Sequence, residues 1–233
     1  MKYYHIIKAS FIKRPNRFVA YCEVAGQKEK VHVKNTGRCR ELLVPGATVY
    51  LEEGQNPNRK TKYSLVAVEK GKLLINMDSQ APNQVVEEGL KEGKITLPGI
   101  DEPISLIKRE KTYGRSRFDF YIETAKEKIF MEVKGVTLEE EGIVRFPDAP
   151  TERGIKHIEE LIEAARSGYK AFILFVVQMA EAKYFTPHEI RHPEFADALR
   201  RAKKSGVGIL AYTCQVTEES LAISEALPIR LNE

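Results

Sequence analysis

Arg117–Glu123 reads RFDFYIE, and Lys128–Lys134 reads KIFMEVK. Both alternate as strands do, and the short charged segment Thr124–Glu127 between them predicts a hairpin. Successive side chains on a strand point to opposite faces, so Glu132 and Lys134 share one face. Asp119 lies between Phe118 and Phe120, which argues for a strand packed into a core. Two carboxylates and an ammonium group would then meet near one end of the hairpin. Such a set suits Mg²⁺- or Mn²⁺-assisted phosphodiester chemistry: carboxylate oxygens hold a hard cation, and the lysine stabilises charge or helps activate water. The spacing alone is a weak signal, because Glu-x-Lys is common on solvated strands. Its context gives it weight.

Downstream the pattern turns α/β. Thr151–Ser167 predicts a helix, with Ile155, Ile158, Leu161, Ile162 and Ala165 recurring at three and four and Gly168 as its stop. Ala171–Val177 is a continuous apolar run, as expected of a strand covered on both faces. Pro193–Ser205 predicts a helix and Gly208–Val216 a last strand. Upstream, Asn83 is the expected cap of a short helix Gln84–Glu92, followed by a strand over Ile104–Lys111.

Residues 1–80 predict an all-β unit. Strands are expected at His5–Lys13, Phe18–Val24, Lys28–Val33, Thr48–Glu53, Lys62–Glu69 and Leu73–Asn76. Turn signals separate them, including Arg14-Pro15-Asn16 and Gly54–Asn58, and Gly37–Leu43 reads as one or two helical turns. This order suggests a small OB-like barrel, a fold that often binds single strands by a basic face with aromatic stacking. Tyr3, Tyr4, Phe18 and Tyr21 are the candidate rings. A domain boundary is expected near Ser79–Asn83, giving domains at 1–80 and 81–233.

Charge follows the same division. Residues 1–80 carry 15 Lys+Arg against 7 Asp+Glu, whereas residues 81–233 carry 22 against 26. The first part therefore suits a polyanion and the second a metal. The longest apolar run is far too short to span a bilayer. The N-terminal stretch MKYYHIIKAS lacks the apolar core of a signal peptide. Three scattered cysteines, Cys22, Cys39 and Cys214, fit a reducing cytoplasm and read as core residues. His188 and His192 are spaced as a helical zinc pair, but prolines flank them and no third ligand is evident.

The strand order, with Asp119 on one strand and Glu132-x-Lys134 on the next, resembles the PD-(D/E)xK nuclease-like fold. Longer runs carry a closer likeness. VKNTGRCREL (Val33–Leu42), GRSRFDF (Gly114–Phe120), EVKGVTL (Glu132–Leu138) and FPDAPTERGIKHIEEL (Phe146–Leu161) resemble the sugar fermentation stimulation protein A family over essentially the full length. That resemblance implies an OB-like barrel followed by a PD-(D/E)xK-like mixed sheet, DNA binding, and a proposed link to sugar metabolism. It suggests a nuclease without guaranteeing one; the alternative is a non-catalytic DNA-binding regulator on a nuclease-like frame.

Nuclease-like folds often add a first-helix glutamate, and Glu88 is the candidate third metal ligand beside Asp119 and Glu132. The expected partner is DNA, with single strands as one option. Expected contacts to it are Lys34, Asn35, Arg38 and Arg40 in the barrel, Arg115 and Arg117 before Asp119, and Arg153 and Lys156 at a helix start where exposed N–H groups favour an anion. His157 is a candidate general base that the sequence does not place near the triad.

Overall fold

The computed structural model describes residues 1–35, 37–56 and 58–231. Thr36 and Pro57, which fall in the expected Lys34–Arg40 basic loop and the Gly54–Asn58 turn, lie outside the described residues.

Six strands open the chain: β1 (Ile6–Asn16), β2 (Val19–Val24), β3 (Gln27–Val33), β4 (Thr48–Glu53), β5 (Tyr63–Lys70) and β6 (Leu73–Asn76). They pair in the order β3-β2-β1-β4-β5-β6, and a further parallel pairing of β3 with β5 closes the first five into a barrel. Inward positions alternate as the pleat demands: Ala20 and Cys22 on β2, and Val31 and Val33 on β3, are buried. Closure leaves few free edges to manage. β1 runs through Pro15, so the turn expected at Arg14–Asn16 falls at Arg17–Phe18 instead. The Asn16 side chain caps that turn by accepting from the Phe18 and Val19 amides. Gly37–Leu43 forms no α-helix. A single turn closes there, with the Leu42 and Leu43 amides donating to the Cys39 carbonyl.

The second part begins with α1 (Ala81–Lys91). Pro82 in its first turn marks the start, three residues earlier than the sequence reading placed it. β7 (Leu106–Tyr113), β8 (Ser116–Glu123), β9 (Lys128–Val136), β10 (Leu138–Glu140) and β11 (Ile143–Phe146) follow. Then come α2 (Glu152–Arg166), β12 (Lys170–Val177), β13 (Tyr184–Pro187), α3 (Pro193–Lys204), β14 (Gly208–Thr217) and β15 (Ser220–Ala226). The main sheet has the order β15-β14-β12-β9-β8-β7, with β9, β12 and β14 mutually parallel. β10, β11 and β13 form a separate small sheet.

Helices cover both faces of the main sheet, which explains the unbroken apolar run of β12. On one face α1 packs Val85, Val86 and Leu90 against Phe120, Ile122, Met131, Val133, Leu174 and Val176. On the other, α2 and α3 pack Ile158, Leu161, Ile162, Phe195 and Leu199 against Phe130, Ile173, Phe175 and Val177. Each such fully buried side chain contributes about 1.5–3 kcal/mol of transfer free energy. α2 starts as expected, its Thr151 hydroxyl accepting from the Gly154 amide at 3.1 Å. Gly168, at φ 90°, ends it. Cys22, Cys39 and Cys214 are free and buried. No helix among the described residues is long and apolar enough to cross a membrane.

Candidate metal centre and nucleic-acid interface

Asp119 sits where the β7–β8–β9 sheet is interrupted. The β7–β8 register runs on either side of the pair Glu110–Asp119 but skips it, and Glu110 adopts φ 56°. Pairing of β8 with β9 stops at Phe120 and Met131. Phe118 packs on the α2 side near Phe130, whereas Phe120 belongs to the α1-side core. Residues two apart on a regular strand share a face, so the backbone twists at Asp119. That twist sends the Asp119 carboxylate into the gap beyond the last β8–β9 pair. There Oδ2 accepts from the Val133 amide at 2.8 Å, in place of a lost ladder bond. Oδ1 accepts from Asn83 Nδ2 at 2.8 Å.

Glu132 and Lys134 follow regular alternation and face α2. Lys134 Nζ lies 2.5 Å from Glu132 Oε1. The same oxygen meets His157 Nδ1, brought in by the second turn of α2. Glu132 Oε2 is buried and has no hydrogen-bond partner. Gly135 keeps the site compact: a Cβ there would stand 2.5 Å from Gln178 Oε1 and 2.9 Å from Pro82 Cγ, so only glycine lets the start of α1 lie this close to β9.

The electrostatics match this geometry. Burial pushes the Asp119 carboxyl up, and the neighbouring Glu132 charge pushes it further; the Val133 and Asn83 hydrogen bonds only partly oppose them. Burial also acts to raise Glu132, but the His157 hydrogen bond and the Lys134 charge outweigh it and hold that carboxyl below its ordinary value. The pair is thus one carboxyl reluctant to ionise beside one held ionised. A cation between them would relieve both the repulsion and the orphaned oxygen.

A model of the sugar fermentation stimulation protein RE domain matches residues 80–220, and one of the SfsA N-terminal OB domain matches residues 12–77. The chain belongs to the sugar fermentation stimulation family. It is 53% identical over 231 residues to the sugar fermentation stimulation protein homolog of Clostridium beijerinckii, covering 99% of this chain and 100% of that one. It is 52% identical over 233 residues to the homolog of Desulfitobacterium hafniense, covering both completely. Among solved structures it is similar to Pyrococcus furiosus SfsA in complex with Ca²⁺, with TM-score 0.88, 30% identity, and 99% and 98% of the two chains covered.

In this family member Glu88 does not join Asp119 and Glu132. Its carboxylate holds the Met1 ammonium at 2.6 Å and Gln84 Nε2 at 3.1 Å. Because α1 starts early, Asn83 falls inside its first turn, and it is Asn83 that α1 delivers to Asp119. Among the described residues no group of three His, Cys, Asp or Glu side chains is placed to hold a metal ion. His188 lies in the segment after β13 and His192 caps α3, so the two do not share a helix.

The expected nucleic-acid contacts differ in exposure and in the partners that hold them. Lys34 is committed: its Nζ lies 2.6 Å from Asp78 Oδ2, a carboxylate only 2% exposed. Asn35 turns its amide oxygen onto the Gly37 amide. Arg153 Nε points at His157 Nε2, and Arg117 faces Glu110 at 3.3 Å. Arg38, Arg40, Arg115 and Lys156 are exposed, as are Arg117 and Arg153, and Lys156 Nζ lies 3.8 Å from Glu160 Oε1. Lys156 Nζ reaches the Arg115 carbonyl at 3.3 Å, which ties the first turns of α2 to the β7–β8 turn. Arg38 and Arg40 line a concavity of about 540 Å³ with Lys13, Arg14 and Arg17. Of the four candidate rings, Tyr3 is buried, whereas Tyr4 and Phe18 are exposed. Lys28 Nζ sits 4.7 Å from the Tyr21 centroid and the Arg17 guanidinium 5.3 Å from that of Phe18.

Arg14 escaped the sequence reading. Its guanidinium donates to the carbonyls of Arg17, Asn35, Gly37 and Arg38 and so shapes the basic loop. The second part holds the same loop, since Asp148 Oδ2 accepts from the Arg38 amide at 2.8 Å. Gly37 permits that approach, because a Cβ there would stand 2.4 Å from Asp148 Oδ2.

Proposed function

We propose that this protein binds DNA through its barrel and cuts phosphodiester bonds at Asp119, Glu132 and Lys134 with a divalent cation, Mg²⁺ or Mn²⁺. The observation that carries the reading is the unpartnered Glu132 Oε2, buried beside a second carboxylate whose ionisation its surroundings resist. An oxygen so placed is costly unless something binds it. The donor set fits a hard cation, and the Pyrococcus furiosus relative was solved with Ca²⁺. Asp119 and Glu132 would hold the ion. Two protein carboxylates leave most of its coordination sphere to water and substrate oxygens, the usual Mg²⁺ arrangement.

Such an ion supplies Lewis acidity to a phosphoryl oxygen and eases formation of the nucleophile. Lys134 opposes the charge that grows on the phosphoryl oxygens. Arg115 in the β7–β8 turn, Lys156 on α2, and Arg38 and Arg40 on the barrel hold the flanking phosphates. The free, buried cysteines suit a reducing cytoplasm as the place of action.

One observation favours the non-catalytic regulator: Lys134 and Glu132 already neutralise each other. Cleavage decides between the two. Single-stranded, duplex and flapped DNA, and RNA, are incubated with the protein and Mg²⁺ or Mn²⁺. At least one is cut, and Lys134→Ala lowers the rate on the order of 100-fold or more with the melting temperature retained. No cutting by the wild type with either metal leaves the regulator reading.

A further inference from the structure

His157 is 5% exposed and lies edge-on to Phe118, their centroids 6.3 Å apart. Each of its ring nitrogens has a protein partner. Nδ1 meets Glu132 Oε1, and Nε2 lies 3.4 Å from Arg153 Nε, one helical turn earlier on α2. A guanidinium can donate but not accept. Nε2 must therefore accept from Arg153, and the ring proton sits on Nδ1, aimed at Glu132. Lys134 approaches the same Glu132 oxygen. Both donors thus fall on Oε1, and Oε2 alone is left bare.

We propose that Arg153 and His157 form a positioning chain that fixes the Glu132 carboxylate with one oxygen reserved for the divalent cation. The chain rests on the metal-site reading above and deepens it. Arg153 sets the tautomer of His157, and His157 sets the rotation of Glu132. Lys134 alone cannot do this, because a flexible ammonium follows the carboxylate as it turns, whereas a ring wedged against Phe118 does not. Partners of this kind, one step removed from a metal, typically change affinity by about 10–100-fold when lost. Arg153 accordingly serves Glu132 through His157, not a substrate phosphate.

The test compares His157→Asn, whose amide nitrogen takes the place of Nδ1, with His157→Gln, whose longer side chain moves the donor away. Mn²⁺ affinity is measured by calorimetry, and the wild-type tautomer by nitrogen NMR of ¹⁵N-histidine-labelled protein without metal. The expected results are an Nδ1–H tautomer, Mn²⁺ affinity within about threefold of wild type for His157→Asn, and a loss of about 10–100-fold for His157→Gln. If His157→Gln does not fold, Arg153→Met takes its place and must shift the tautomer and weaken Mn²⁺. An Nε2–H tautomer in the wild type, or unchanged Mn²⁺ affinity in folded His157→Gln or Arg153→Met, overturns the proposal. Wild type that binds Mn²⁺ in the expected pattern yet cuts nothing refutes the nuclease reading and supports this one. No Mn²⁺ binding by the wild type refutes both.

Discussion

Asp119→Asn should stabilise the metal-free protein while abolishing its metal response. The substitution keeps the shape of the side chain and both hydrogen bonds. Its carbonyl oxygen still accepts from the Val133 amide, and its NH₂ donates to Asn83 once that amide flips. What it removes is a carboxylate facing Glu132. Side chains on neighbouring strands put the two charges about 5 Å apart, a repulsion of roughly 3 kcal/mol at an effective dielectric constant near 20. Lys134 offsets much of this, leaving on the order of 1 kcal/mol. For a chain of this length that is about 2–4 °C in melting temperature. The sign with pH follows from the raised Asp119 carboxyl, whose ordinary value is 3.8. Below that value the wild type is protonated here and equals the variant. Above it the unfolded chain ionises while the folded wild type resists, so the variant's advantage grows until pH passes the raised folded value and is constant beyond it. Thermal melts in chelator at pH 4 and pH 7.5 measure it. Mn²⁺ at about 100 times its dissociation constant should then add roughly 2.7 kcal/mol, or about 5–10 °C, to the wild type and nothing to the variant. An Asp119→Asn protein that melts below wild type in chelator at pH 7.5 would refute the reasoning, because Asp119 would then be a structural cap for Val133.

Lys34→Met should cost stability rather than DNA affinity alone, because it strands the buried Asp78 carboxylate. Unpairing such a charge costs about 3–5 kcal/mol, or roughly 10 °C, and an unchanged melting curve would return Lys34 to the DNA-contacting set. Substituting Arg38 and Arg40 together by Gln should leave the melting temperature alone, weaken DNA binding alike across sequences, and lower the slope of log affinity against log salt by about two. An affinity that does not vary with salt in the wild type would sink the barrel-binding reading.

Local pattern exposed most of the frame. The barrel strands, the β8–β9 hairpin, the buried run of β12 and the amphipathic faces of α2 and α3 all follow from alternation, periodicity and caps. β10, β11 and β13 escaped: they span three or four residues and, unlike the equally short β6, they pair in a small sheet apart from the two large ones. β15 was legible in principle: Leu221 and Ile223 alternate into the core behind the Thr217–Ser220 turn. The start of α1 was legible as well, from Pro82, and reading it would have moved Asn83 from cap to first turn.

The site divides differently. Glu132 and Lys134 sit on a regular strand, so alternation alone placed them together. Asp119 reaches them only because pairing fails at Glu110 and the strand twists, a property of two strands and not of either sequence. Fates of charges are harder still. Lys34 and Arg38 look alike four residues apart, yet one neutralises Asp78 and the other faces solvent. The excess of cations in residues 1–80 survives this sorting as a field, which depends on totals. Each contact depends on a partner far along the chain, such as Glu132 for His157 or Asp148 for the Arg38 amide. The three proposed site residues can therefore be named from one hairpin, whereas their approach and the residues that orient them are fixed by strand pairing and by the packing of α1 and α2 onto that hairpin.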